Sequence, residues 1–137
     1  LLSLALLAPA ALAAPAAKDN GPLRPPVEVP HMAFSAKLED GKVVATWRRY
    51  KRSDFTFYKL IKSGSVDKPS FPEIPAIYST SNPDNLFFED GKLSVGTWHY
   101  RLVVLNKWGD RWVSPVITLY VPDGALAHVP PGAADFE

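Results

Sequence analysis

GTWHYRLVVLNKWGDRWVSP, residues Gly96 to Pro115, contains both arms of a β-hairpin. In the first arm Trp98, Tyr100, Leu102 and Val104 recur with a period of two, the spacing that places side chains on one face of a strand. Asn106, Gly109 and Asp110 are turn formers, and the chain becomes apolar again after them. Trp108 and Trp112 are unusual here, because they put two large rings around a turn that would ordinarily be polar. Strand alternation from Val104 gives neither ring an obvious place in a core. Two readings follow. The pair, with Arg111 between, forms a contact surface for a sugar ring or a partner's side chain. Alternatively, the rings pack on each other and stiffen the hairpin.

Other short strands lie upstream, each bounded by turn chemistry. Asp40-Gly41 separates Phe34–Leu38 from Lys42–Trp47, a hairpin signal. Val43, Ala45 and Trp47 share a face of the second of these strands. Phe55–Lys62 directs Tyr58 and Leu60 one way and Phe57 and Ile61 the other. The prolines at 69, 72 and 75 exclude a central strand from Ser63–Pro75. Ala76–Ser79 and Leu86–Glu89 flank the turn Ser81-Asn82-Pro83-Asp84, and Val113–Val121 supplies the last strand. With no helical period in the chain, the pattern predicts an all-β, immunoglobulin-like sandwich of about seven strands.

The order of these motifs, from about Pro30 to Pro122, resembles a fibronectin type III domain of the kind found in secreted bacterial proteins. DGKVVATW, residues 40–47, is similar to that family's A–B turn and strand B, and DFTFYKL to its strand C. PSFPEIPAIYS and NLFFED follow its C–E region. Gly96–Leu102, Asn106, Gly109 and Ser114-Pro115 follow strand F and the F–G turn. The resemblance implies fibronectin type III topology, with Trp47, Tyr58 and Leu102 at the centre of the core and Leu60, Tyr100 and Trp98 around them. Trp98 stands where the family has a corner tyrosine that bonds back to backbone. An indole N–H donates but cannot accept, so the corner is expected to be bonded differently.

The ends of the chain read differently from its middle. Residues 1–17 are uncharged and apolar, with Ala11-Leu12-Ala13 in the form of a signal-peptidase site. A signal peptide cleaved near 13/14 is expected, and Pro9 and Pro15 argue against a stable membrane span. Residues 18–30 read as a proline-rich linker, 31–122 as the domain, and 123–137 as a tail or linker. The protein is expected to be secreted, periplasmic or on the cell surface. It has no cysteine, which excludes disulfides and thiolate metal sites, so burial alone must hold the domain together.

Fifteen basic residues against 14 acidic ones leave a formal net charge of +1, no footprint for nucleic acid. The one basic run, Arg48-Arg49-Tyr50-Lys51-Arg52, reads better as a solvated strand end than as a phosphate site. His31, His99 and His128 are scattered, no serine sits in a nucleophile elbow, and the acidic pairs adjoin glycine turns. No catalytic, cofactor-binding or metal-binding residues are therefore expected, and no cofactor.

A non-catalytic binding or adhesion module is the leading function, with a protein or polysaccharide as partner. The alternatives are a structural spacer and an accessory domain of a secreted hydrolase. Besides Trp108, Arg111 and Trp112, the candidate contact surface includes Phe57, Ile61, Val103 and Leu105, an apolar stripe on the outward face of strands C and F. The competing reading is that the Ser63–Pro75 segment, or the tail, folds over that stripe.

Overall fold

The computed structural model describes residues 24–126. The expected signal peptide, residues 18–23 of the expected linker and residues 127–137 lie outside the described residues. Among the described residues nine strands and one helical turn follow in order: β1 (Val27–Glu28), β2 (Phe34–Glu39), β3 (Lys42–Trp47), β4 (Phe55–Ser63), β5 (Ala76–Thr80), β6 (Phe87–Asp90), β7 (Gly96–Asn106), β8 (Arg111–Val113), β9 (Ile117–Val121) and α1 (Asp123–Leu126). β2, β3 and β6 form one antiparallel sheet. The other runs β1-β8-β7-β4-β5, with β9 also paired to β7. The fold is an all-β, immunoglobulin-like sandwich.

Local chemistry sets the register. At the β2–β3 hairpin Glu39 faces Lys42, leaving Asp40 and Gly41 as a two-residue loop. Both have positive φ, 52° and 79°, which such a tight turn requires and which Asp-Gly tolerates. The last strand is not continuous as expected, because Ser114–Val116 divides β8 from β9. Pro115 has no N–H for the ladder. Ser114 bridges the break: its N–H donates to the Leu102 carbonyl (2.9 Å) and its hydroxyl accepts from the Leu102 N–H (3.0 Å).

The facing sheets enclose two adjoining clusters. One contains Ala45, Trp47, Tyr58, Leu60, Leu102 and Val104, with the Trp47 and Tyr58 rings edge-on at 5.7 Å. The other contains Ala36, Val43 and Tyr100, with Trp98 packed at its border. A third cluster lies on the outer side of the larger sheet and overturns part of the expected contact surface. Ile61 and Val103 are completely buried there with Val113, against Phe71, Ile74, Ala76 and Leu105. The proline-rich segment supplies Phe71 and Ile74, so it covers the stripe. Phe57, at the margin, is half-buried with Lys59 Nζ 4.4 Å from its ring centre.

The folded unit also reaches back into the expected linker. β1 pairs in parallel with β8, and the Val29 N–H donates to the Val113 carbonyl. Two arginines on the outer face of the larger sheet fasten the covering pieces. Arg101 donates to the Ser114 and Pro69 carbonyls and pairs with Glu28 at 2.6 Å. Burial holds its guanidinium below the ordinary range, and Glu28 offsets only part of that shift. Arg111 donates to the carbonyls of Phe71 and Arg24. Guanidinium forks suit this work because several carbonyls from separate segments can converge on one planar group.

Candidate contact surface

The β7–β8 turn is built on Asn106. Its side-chain oxygen accepts from the N–H groups of Trp108 (3.0 Å) and Asp110 (2.9 Å), and its amide donates to Asp110 Oδ2. Gly109 closes the turn with a φ of 83°. The loop after β3 joins from the side, the Lys107 N–H donating to the Asp54 carbonyl at 2.8 Å. Arg24 adds a salt bridge to Asp110 at 2.7 Å and a hydrogen bond to the Trp108 carbonyl. The backbone of the turn is therefore pinned on several sides. The Trp108 ring is not, and 61% of the residue is exposed.

The two tryptophans separate. Trp112 faces Val104 across the β7–β8 ladder, and directly opposed residues share a face, so its ring turns inward and packs on the main core cluster. Arg111 points the opposite way and is only 5% exposed. Neither belongs to an open contact surface. Arg111 is removed by its carbonyl partners and Trp112 by its register. Trp108 alone of the three stands out into solvent.

Beneath Trp108 the sandwich end is open. A cleft of about 770 Å³ is floored by Val29, Met32, Tyr50, Leu102, Val104 and Trp112. The basic run borders it as a loop, not a strand end. Arg49 is paired with Asp84 at 2.6 Å and Arg52 with Asp54 at 3.5 Å, while Arg48 and Lys51 are exposed. The core tyrosine Tyr58 holds this loop, its hydroxyl accepting from the Tyr50 N–H (2.8 Å) and donating to the Pro83 carbonyl (3.0 Å). Burial pushes the Tyr58 and Tyr50 hydroxyls above the usual phenol range. Burial also pushes the Asp54 carboxyl up, but the Tyr50 hydroxyl and Arg52 outweigh it and hold the group below its usual range. Two buried polar atoms of cleft-lining residues, Asp54 Oδ1 and Trp112 Nε1, have no hydrogen-bond partner.

At the opposite end the polar groups are paired. Asp90 Oδ2 accepts from the Tyr100 hydroxyl at 2.7 Å and pairs with Lys62 at 2.6 Å, tying the two sheets together. Lys62 Nζ also lies 5.0 Å from the Trp98 ring centre. The Trp98 indole donates to the Ser94 carbonyl at 2.8 Å, so the corner returns to upstream backbone just as the family's tyrosine does. The expected difference in bonding shrinks to a change of donor, because the corner needs only a donor.

Among the described residues no three His, Cys, Asp or Glu side chains group as a metal site. No helix there is long and apolar enough to cross a membrane. Sequence reasoning did not find the cleft; the aromatic inside the basic run, Tyr50, was its one local signal.

Comparison with known proteins places the fold. Neither a protein-family model nor a curated protein matches the sequence. Among solved structures, the sixth fibronectin type III domain of human fibronectin type III domain containing protein 3 is similar at 16% identity and a TM-score of 0.53, over 77% of this chain and 93% of that one. The chicken CNTN1 FN1-FN3 domains are similar at 16% identity and a TM-score of 0.55, over 72% and 33%. Pectate lyase PelI from Erwinia chrysanthemi, solved with tetragalacturonic acid, is similar at 15% identity and a TM-score of 0.50, over 64% of this chain and 27% of the lyase. The chain thus spans a third or less of the latter two. At such identities the likeness concerns fold alone, and the fold is fibronectin type III-like.

Proposed function

We propose that this domain is a non-catalytic contact module of an exported protein, which engages a protein or polysaccharide through the β7–β8 turn and the cleft beneath it. The observation that carries this reading is Trp108, 61% exposed on a turn whose backbone is held by Asn106, Arg24 and Asp54. A large ring held out in water on a pinned backbone binds at low entropic cost, since little remains to be ordered. The apolar, uncharged start of the sequence supports export, and so a partner outside the cytoplasm. A second reading, an accessory domain of a secreted hydrolase, has its support in the pectate lyase, of which a fold like this one occupies 27%.

Retention of the purified protein on insoluble polysaccharides and on cell surfaces tests the proposal, with parent and Trp108→Ala compared. The parent is retained and the variant is not, while their urea midpoints agree. Equal retention of the two would overturn the role of the turn. No retention of the parent on any surface would put the spacer reading first.

A further inference from the structure

Around the open cleft, cations outnumber the carboxylates that pair with them. Arg24, Arg49 and Arg52 are matched by Asp110, Asp84 and Asp54. Arg48 and Lys51 on the rim, and Lys107 beside Trp108, are exposed and have no ion-pair partner among the described residues. The surplus is local, because the whole chain carries only +1. Such a rim attracts an anionic partner and repels a cationic one.

The remaining chemistry narrows the kind of anion. Lys107 Nζ stands 5.1 Å from the Trp108 ring centre, which puts an ammonium group next to an apolar platform. A pyranose presents a flat face of C–H groups to an indole, and a ring carboxylate would then lie within reach of that ammonium. An extended acidic peptide would look for a free strand edge, and at this end β1 already occupies the edge of β8. The cleft volume of about 770 Å³ lies within the range usual for ligand sites, about 300–1,000 Å³.

We propose that this cleft binds an anionic polysaccharide, a chain of hydroxyl-bearing sugar rings with carboxylates, one ring lying against Trp108 and the acid groups facing Lys107, Arg48 and Lys51. The proposal rests on the contact reading above and gives it a ligand class.

Three immobilised probes test it: polygalacturonate, a neutral galactan of similar length, and poly-glutamate. The parent binds polygalacturonate best, and its affinity falls severalfold between about 50 and 500 mM NaCl as the charges are screened. Trp108→Ala weakens that binding about tenfold or more, the size expected for a central aromatic contact. Arg48→Gln with Lys51→Gln weakens it a few fold and flattens the salt dependence. Urea midpoints taken in parallel confirm that the variants are folded. Binding of poly-glutamate as tight as that of polygalacturonate would overturn the sugar assignment in favour of an acidic protein segment. Trp108-dependent binding of the neutral galactan at equal strength would overturn the charge assignment but leave the contact reading standing. Failure on all three probes would overturn the ligand class, and the contact reading would then rest on Trp108-dependent retention on cell surfaces.

Discussion

The two ends of this sandwich use the same materials to opposite effect. Each has a tryptophan, a lysine beside it, a buried aspartate and a tyrosine. At the β6–β7 end the set is closed: Asp90 is shared by Tyr100 and Lys62, and the Trp98 indole has its carbonyl. At the β7–β8 end it is open, with Trp108 in solvent, Asp54 Oδ1 and Trp112 Nε1 unpartnered, and a cationic rim. An unpartnered buried polar atom costs about 1–3 kcal/mol. Closed polar clusters hold a fold together, while open ones leave something for a ligand to supply.

If that contrast is right, substitutions should rank by what they leave unsatisfied. Trp47→Ala comes first, because its ring is buried in the main cluster, on which Tyr50 and Trp112 of the open end pack. Deleting a buried aromatic should cost about 3–5 kcal/mol in urea denaturation, a large part of what a small domain has. A loss below about 1 kcal/mol would mean that Trp47 is not central to the core on which the open end rests.

Asp90→Ala tests the closed end directly. It strands the Tyr100 hydroxyl and leaves the Lys62 ammonium with only the Lys92 carbonyl, and the expected cost is about 2–4 kcal/mol. The matching change at the open end, Asp54→Ala, should cost clearly less, because the Arg52 contact is long, 3.5 Å, and exposed on one side. Equal costs in urea titrations run side by side would erase the difference between the ends.

How far the sequence announced these ends differs between them. Strand order and the β2–β3 turn were legible because Asp40-Gly41 and the alternation in β7 are local signals. The break after Val113 was partly legible, since Pro115 can be seen to lack a donor. The cover over Ile61 and Val103 was not, because Ser63–Pro75 has no periodicity and only the folded chain brings Phe71 and Ile74 onto the sheet. Arg111 misled for the same reason: its partners are the carbonyls of residues 71 and 24, far away in sequence. Trp112 could have been assigned inward from the hairpin register, had the turn been closed on Asn106. The open cleft joins the lead-in, the loop after β3 and the β7–β8 turn, and no local pattern links three such segments.

A pH titration sharpens the contrast further. Burial, then the hydrogen bond and charge of Asp90, push the Tyr100 phenol far above its usual range. Below about pH 10 both folded and unfolded chains keep this proton and its contribution is full. Above that, the unfolded chain releases it while the folded chain does not, so stability is lost as pH rises. Tyr100→Phe should cost about 1–2 kcal/mol at neutral pH. Its stability should then decline less steeply above pH 10 than the parent's, with a residual slope from Tyr50 and Tyr58, whose phenols are raised as well. Parallel slopes would mean that the closed end is not closed around Tyr100.

The smallest expected change in stability belongs to Trp108→Ala. With the ring largely in water, its removal takes away little buried surface, and the turn keeps every backbone hydrogen bond that Asn106 makes. What goes is the contact with Lys107, an exposed cation–π pair of about 0.5–1 kcal/mol at most, partly offset by freeing an apolar ring from solvent. The midpoint should therefore move by no more than about 0.5 kcal/mol, as for an ordinary surface substitution. Trp112→Ala is the counterpart four residues on, and there about 2–4 kcal/mol should be lost, since that ring packs on the main cluster. Similar losses for the two would mean that Trp108 is part of the structure, and the open end would lose the residue that marks it as a contact surface. A large loss at Trp112 with almost none at Trp108 would leave the exposed ring without a structural reason, which is what a residue kept for a partner should look like.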